Sequence, residues 1–236
     1  MLAAITMTDL TLENIRNFID HLTRFTVRIV KFGPNGEIIA MSSGFLYQPN
    51  AKSPLVVITA GHKTPTKGAF IETRITKDGQ TLCLTAGKFT VFYNFDNIDY
   101  AYSFLPMDKI QSDLDKDIRV EYIAYRHEFI KAEKREAYGF AVWNNYEFVR
   151  SGNELLLPRY CCYEVGMKLA KQDEHINYFK TSRSLQADEY YEGASGSPIA
   201  APEGAITSIL IGRTEDEKYR KGFRLDNTPI PVNNSG

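Results

Sequence analysis

The pattern of apolar and polar positions changes character once, near residue 25. Between residues 9 and 24, Ile15, Phe18, Ile19 and Leu22 recur at helical spacing, with Asp9 or Thr11 as the N-cap. From there on the period is two. In Phe25–Phe32, Phe25, Val27 and Ile29 alternate with Thr26, Arg28 and Val30, and Pro34-Asn35-Gly36 then makes a turn. Further extended runs are expected at Glu37–Met41, Gly44–Gln48, Leu55–Thr59, Phe70–Ile75, Lys88–Tyr93, Asp99–Leu105, Val120–Tyr125, Tyr138–Trp143, Tyr160–Ala170, Ile176–Thr181 and Ala205–Ile211. They are short, rich in β-branched and aromatic residues, and separated by turn chemistry. Such spacing predicts a mostly antiparallel β protein of sandwich or barrel type. The charged stretch Met107–Arg119 carries no strand signal and marks a midpoint. The chain then divides into an amphipathic helix (1–24), a first β unit (25–115), a second (116–228) and a tail (229–236).

Composition narrows the function classes. The 236 residues are 43% hydrophobic and 24% charged, values of a chain that builds a core. The 28 basic and 29 acidic residues leave a net charge of −1, so no global field draws the chain to nucleic acid or to an anionic membrane. Three cysteines, Cys83, Cys161 and Cys162, form neither a disulfide framework nor a CxxC pair. Free thiols fit a reducing compartment. No signal-peptide pattern opens the sequence, and no apolar run approaches the roughly 20 residues of a membrane helix. A cytoplasmic location is expected, with no metal and no organic cofactor. His21, His127 and His175 lie in polar surroundings and read as surface residues, and Cys161 and Cys162 as strand packing.

Three strings carry chemistry. In Pro54–Thr64 an apolar strand runs into Thr59-Ala60-Gly61-His62. In Asn97–Leu105 an acid, Asp99, opens an aromatic strand, with Asp96 three residues earlier as a competitor. In Glu192–Ile199, Ser195 sits between glycines just before a strand. Singly, each has a plain structural explanation: a turn, a half-buried histidine, the start of a strand. Together they suit acyl transfer. A serine hydroxyl needs a base within hydrogen-bond reach, imidazole is that base near neutral pH, and a carboxylate selects its tautomer. Gly193 is free to take positive φ, so its N–H and that of Ser195 could converge on an oxyanion. Gly196 permits close packing behind the nucleophile, and Pro198 suits the start of the next strand.

The three strings resemble the trypsin-like, chymotrypsin-fold serine peptidases. The family has T-A-A-H, D-[IL]-A-L and G-D-S-G-G-P; this chain has T-A-G-H, D-Y-A-Y and G-A-S-G-S-P, in the same order. The resemblance covers roughly residues 25–225. It implies two antiparallel β-barrels with the site in the cleft between them, the helix lying outside. It also implies a triad of His62, Asp99 and Ser195, an oxyanion hole at Gly193 and Ser195, and a protein or peptide substrate. Ala194 stands where secreted zymogens carry an acid, and no Ile-Val-Gly-Gly start is present. The string is therefore closer to the disulfide-free bacterial and viral branches. Glutamyl endopeptidases of those branches place a histidine in the strand after the nucleophile; Ile206–Gly212 has none. The primary pocket is expected from Asp188–Glu192 and from Ser208, Ile209, Leu210, Ile211 and Gly212. Glu189, six positions before the nucleophile, would favour Lys or Arg. Three other readings stay open: a pseudo-enzyme or peptide-binding module of the same fold, a viral-type polyprotein-processing peptidase, and an unrelated β-rich domain bearing chance motifs. A regulatory partner acting through the N-terminal helix is a further expectation.

Overall fold

The computed structural model describes residues 11–230 apart from 63, 65–67, 78–79, 95–96, 107–123, 135–136, 145–148, 152–153, 157–159, 182–192 and 217. The expectations for Asp9, Asp96, Glu189, Met107–Arg119 and the last six residues of the tail lie outside the described residues.

Helix α1 spans Leu12–Phe25, and Thr11 caps it, accepting the Asn14 N–H at 3.2 Å. The helix passes straight into a strand. Thr26 is already extended, and its hydroxyl donates to the Leu22 carbonyl at 2.8 Å, satisfying one of the helix's last acceptors.

Seven strands follow: β1 (Thr26–Phe32), β2 (Ile38–Tyr47), β3 (Leu55–Thr59), β4 (Phe70–Lys77), β5 (Gln80–Thr85), β6 (Thr90–Tyr93) and β7 (Asp99–Leu105). They form one antiparallel sheet in the order β5-β4-β1-β2-β3-β7-β6. The two outer strands, β5 and β6, are joined only by residues 86–89. Four extended residues span at most about 14 Å. A flat sheet of seven strands would set its edges about 29 Å apart. The sheet must therefore curl into a half-barrel. Val27, Ile29, Leu46, Leu55, Val57, Ile71, Leu84, Ala101 and Leu105 fill its concave side.

The second unit comprises β8 (Ala137–Asn144), a small hairpin of β9 (Val149–Ser151) and β10 (Glu154–Leu156), then β11 (Tyr160–Gln172), β12 (Ile176–Lys180), β13 (Pro198–Ala200), β14 (Ile206–Arg213) and β15 (Tyr219–Arg224). Six of these close into a barrel, β11-β12-β15-β14-β13-β8. Tyr138, Phe140, Val142, Cys162, Met167, Phe179, Ile199 and Leu210 fill it. Cys162 is buried in this core, in keeping with its reading as strand packing. Among the described residues no helix is long and apolar enough to cross a membrane.

A third core forms the seam between the two units. It joins Phe45, Val56, Ile58 and Tyr100 to Ala141, Val165, Ile176, Ile209 and Phe223. The apolar face of α1 is part of it: Phe18, Leu22 and Phe25 are buried there. Gly139 makes room for the helix, since a Cβ at that position would lie 2.6 Å from Phe18 Cε1. The helix thus stands outside both sheets, as expected, while its apolar stripe closes the seam.

Several details differ from the sequence reading. Glu37–Met41 and Gly44–Gln48 are parts of one strand, β2, because Ser42-Ser43-Gly44 continues the ladder with β1 rather than turning. The alternation in β1 does not expose a face: Thr26, Arg28 and Val30 are buried as well. Helix α1 and β8 pack over that side, and Arg28 pairs with Glu72. Strands β5, β9, β10 and β15 were not foreseen. In β15 (YRKGFR) the charges hid the pattern, since Arg220 is buried and paired with Glu164 at 3.1 Å. Within Val120–Tyr125, Ala124 and Tyr125 make no strand; Tyr125 forms a single bridge to Tyr47.

His127 is exposed, but His175 is half-buried and stacks on Phe223, and His21 is not a surface residue either. His21 packs edge-on to Phe25 and against the β13–β14 turn, where a Cβ on Gly204 would lie 2.2 Å from its Nε2. Burial, then the neighbouring Arg24 charge, holds the His21 pKa below its ordinary value. The folded state therefore disfavours the imidazolium. His21 costs nothing above the unfolded pKa near 6.5, and stability is lost as pH falls below it. In His21→Gln the thermal midpoint should fall less between pH 7 and pH 5 than in the wild type. Parallel slopes in a calorimetric pH series would contradict this.

Candidate active site

Strand pairing assembles the first half of the site. β3 and β7 pair antiparallel with Thr59 opposite Ala101, so Gly61, two residues past the end of β3, comes level with Asp99, the first residue of β7. Asp99 Oδ1 accepts the backbone N–H of Gly61 at 2.7 Å and that of His62 at 2.9 Å. Its Oδ2 lies 2.7 Å from His62 Nδ1. Asp99 is buried, its side chain 11% exposed. An acceptor-only group at this distance puts the imidazole proton on Nδ1 and leaves Nε2 with a lone pair. The glycine before the histidine has a reason here. A Cβ on Gly61 would sit 3.0 Å from the Phe92 carbonyl and 3.1 Å from that of Tyr100, tighter than an alanine is comfortably held.

The second half is the turn that carries Ser195. Gly193 has φ +78° and Gly196 φ +94°, conformations that a side chain makes costly. The Ser197 N–H donates to the Ala194 carbonyl at 3.1 Å, and the Ser197 hydroxyl donates to the same oxygen. Gly196 N–H donates to Leu210 O at 2.7 Å, and Leu210 N–H to Ser197 O at 2.8 Å, so the turn is stitched to β14. Ala194 is buried in the barrel core, where an unpaired acid would be expensive. Neither the Gly193 nor the Ser195 N–H donates to another described residue.

Residues of β2 and β3 tie the two halves together. Ser43 N–H donates to Ser195 O at 2.8 Å, Ser43 Oγ donates to Gly193 O at 2.6 Å, and Thr59 Oγ1 donates to Ser43 O at 2.6 Å. Gly196 is pressed into this junction. A Cβ there would lie 2.0 Å from Ser43 O, 2.4 Å from Thr59 Oγ1 and 3.0 Å from Ala60 N. The residue after Ser195 therefore abuts the residue two before His62. Sequence reasoning missed Ser43 and Thr59. The available signal was a pair of serines in the middle of a strand that is otherwise apolar.

Of the residues expected to line a primary pocket, Ser208 is buried and accepts a hydrogen bond from Asn177 Nδ2 at 2.8 Å. Ile209 is buried in the seam and Leu210 in the barrel. Ile211 and Gly212 are half-buried where β14 shifts register against β15, Ile211 packing against the seam. Among the described residues no cluster of His, Cys, Asp and Glu could hold a metal ion.

The arrangement has counterparts among solved structures. Neuropsin, a serine protease of mouse brain, matches 87% of this chain and 91% of its own at a TM-score of 0.53 and 12% identity. Tobacco etch virus protease, in its catalytically active form with product, matches 91% of this chain and 77% of its own at a TM-score of 0.52 and 11% identity. The chain has the chymotrypsin fold. Tobacco vein mottling virus protease is similar to the same extent, with a TM-score of 0.52 over 88% of this chain and 79% of its own at 9% identity. No protein-family model matches the chain, and no curated protein matches it in sequence. The alternative of a β-rich domain of unrelated fold falls with this likeness. Within the chymotrypsin fold of this chain the first unit is a curled sheet and the second a closed barrel, and the candidate site residues come from both.

Proposed function

We propose that the chain is a serine endopeptidase that hydrolyses a peptide bond through an acyl-enzyme on Ser195. One observation carries the reading: the Ser195 turn is hydrogen-bonded to β2 and packed against Ala60, two residues before His62, whose imidazole is held by Asp99. In this mechanism His62 Nε2 takes the proton from Ser195 Oγ as the oxygen attacks the substrate carbonyl carbon. The oxyanion is received by the N–H groups of Gly193 and Ser195, which make no other bond to a described residue. The imidazolium, stabilised by Asp99, then protonates the leaving amine. Water repeats the cycle on the ester, and Ser195 regains its proton. The chemistry needs neither metal nor cofactor.

The proposed substrate is a protein or peptide chain rather than nucleic acid or membrane. Glu189 is the proposed basis of a Lys or Arg preference; an apolar preference would instead point to Ile209, Leu210 and Ile211. A regulatory protein would have to engage the exposed face of α1, because Phe18, Leu22 and Phe25 are taken up by the seam.

A fluorophosphonate tests the mechanism, because it reacts with an activated serine and stays attached. Incubation with the wild-type protein followed by peptide mapping should place the adduct on Ser195 alone, and fluorescein-labelled casein should be cleaved. An unlabelled protein, or an adduct on another residue, would overturn the assignment.

A further inference from the structure

We infer that Ser43 is a positioning residue whose hydroxyl holds the nucleophile turn in its oxyanion-binding conformation, an inference that rests on the peptidase reading above. Ser43 meets the turn twice. Its N–H holds the Ser195 carbonyl at 2.8 Å, a bond any residue at this position could make. Its hydroxyl holds the Gly193 carbonyl at 2.6 Å, a bond that requires this side chain.

The second bond falls on the peptide unit that matters. The Gly193 carbonyl belongs to the rigid plane joining Cα193 to Cα194. The two proposed oxyanion donors lie in the peptide units on either side of that plane, Gly193 N–H before it and Ser195 N–H after it. Fixing the middle plane limits how both donors can rotate. The lock has something to hold, because Gly193 sits at φ +78° with no side chain and can leave that basin at little steric cost. Ser43 can serve as a fixed post because it is itself 1% exposed and clamped. Its carbonyl accepts Thr59 Oγ1 at 2.6 Å, and its strand pairs with both β1 and β3.

The neighbouring serine supplies an internal control. Ser42 is equally buried on the same strand, yet its hydroxyl has no hydrogen-bond partner among the described residues. Ser42→Ala removes the same atom without breaking a bond to the turn.

The test compares wild type, Ser43→Ala, Ser43→Cys and Ser42→Ala, using a fluorophosphonate and a fluorogenic peptide found by library cleavage, with rates taken per labelled site. A net hydrogen bond of ordinary strength corresponds to about a tenfold change, and loss of a whole oxyanion donor to 100-fold or more. Ser43→Ala should therefore lower kcat and the labelling rate by roughly 10- to 100-fold with KM little changed. Ser43→Cys, of similar shape and a weaker donor, should fall between. Ser42→Ala should match the wild type. A purely structural role for Ser43 would instead lower the thermal midpoint and the labelled fraction while leaving the rate per site intact, and that result overturns the inference. Wild-type rates in Ser43→Ala overturn it too, and leave the peptidase reading standing. A wild-type protein that neither labels nor cleaves overturns both.

Discussion

Asp99→Asn should lower kcat by about 10⁴-fold while leaving the fold intact. The size follows from which oxygen does what. Asp99 Oδ1 accepts two backbone N–H groups, from Gly61 and His62, and only Oδ2 faces the imidazole. An asparagine amide oxygen takes over the first role without loss. Its NH₂ group must then face His62 Nδ1, where two donors would oppose each other. The ring relieves this by moving its proton to Nε2, the atom that has to receive the serine proton. The loop geometry survives, the thermal midpoint changes little, and the base is in the wrong tautomer. Steady-state kinetics beside a melting curve checks both halves of the statement, with Asp96→Asn as the comparison. A loss smaller than tenfold in Asp99→Asn, or a larger one in Asp96→Asn, would move the orienting acid elsewhere.

Gly196→Ala should lower the unfolding free energy by about 2–6 kcal/mol and abolish activity. Two costs add. A non-glycine residue at φ +94° is strained by about 1–3 kcal/mol. The new methyl would also lie 2.0 Å from the Ser43 carbonyl oxygen and 3.0 Å from the Ala60 nitrogen, both backbone atoms. Overpacking of this kind typically costs about 1–3 kcal/mol more. Relief requires the turn to move away from β2, which carries Ser195 away from His62. Gly36→Ala separates the two costs. Gly36 has φ +80°, but a Cβ there meets nothing within 4 Å, so only the strain should be felt. Urea titrations of both variants measure the difference. Equal destabilisation in the two would mean that the junction at Gly196 is looser than its contacts imply.

Much of this was legible along the chain, for reasons that differ by element. Leu55–Thr59 and Asp99–Leu105 are strands with the bounds their patterns indicated, because each is an unbroken run of strand-forming residues between turn signals. The helix was legible from its 3.6-residue stripe, and Gly193 and Gly196 from chemistry only glycine allows. β15 was not legible, because a buried arginine reads as an exposed one until its partner is known, and Glu164 is 56 residues away. Ser42 and Ser43 are indistinguishable in the sequence. Only the tertiary structure decides that one of them reaches Gly193, 150 residues further on, while the other reaches no described group.

By itself, then, the sequence determined the helix, most of the strands, their period, and the kinds of group available for acyl transfer, since these depend on neighbours within a turn or two of chain. The closure of the second barrel, the curling forced by the short link between β5 and β6, and the packing of the Ser195 turn against Ser43 and Ala60 were decided by tertiary structure alone. The physical reason is that such contacts join segments whose separation no local pattern encodes. They exist only because burying the shared seam core of Phe18, Phe45, Ile58, Ile209 and Phe223 presses the two units together.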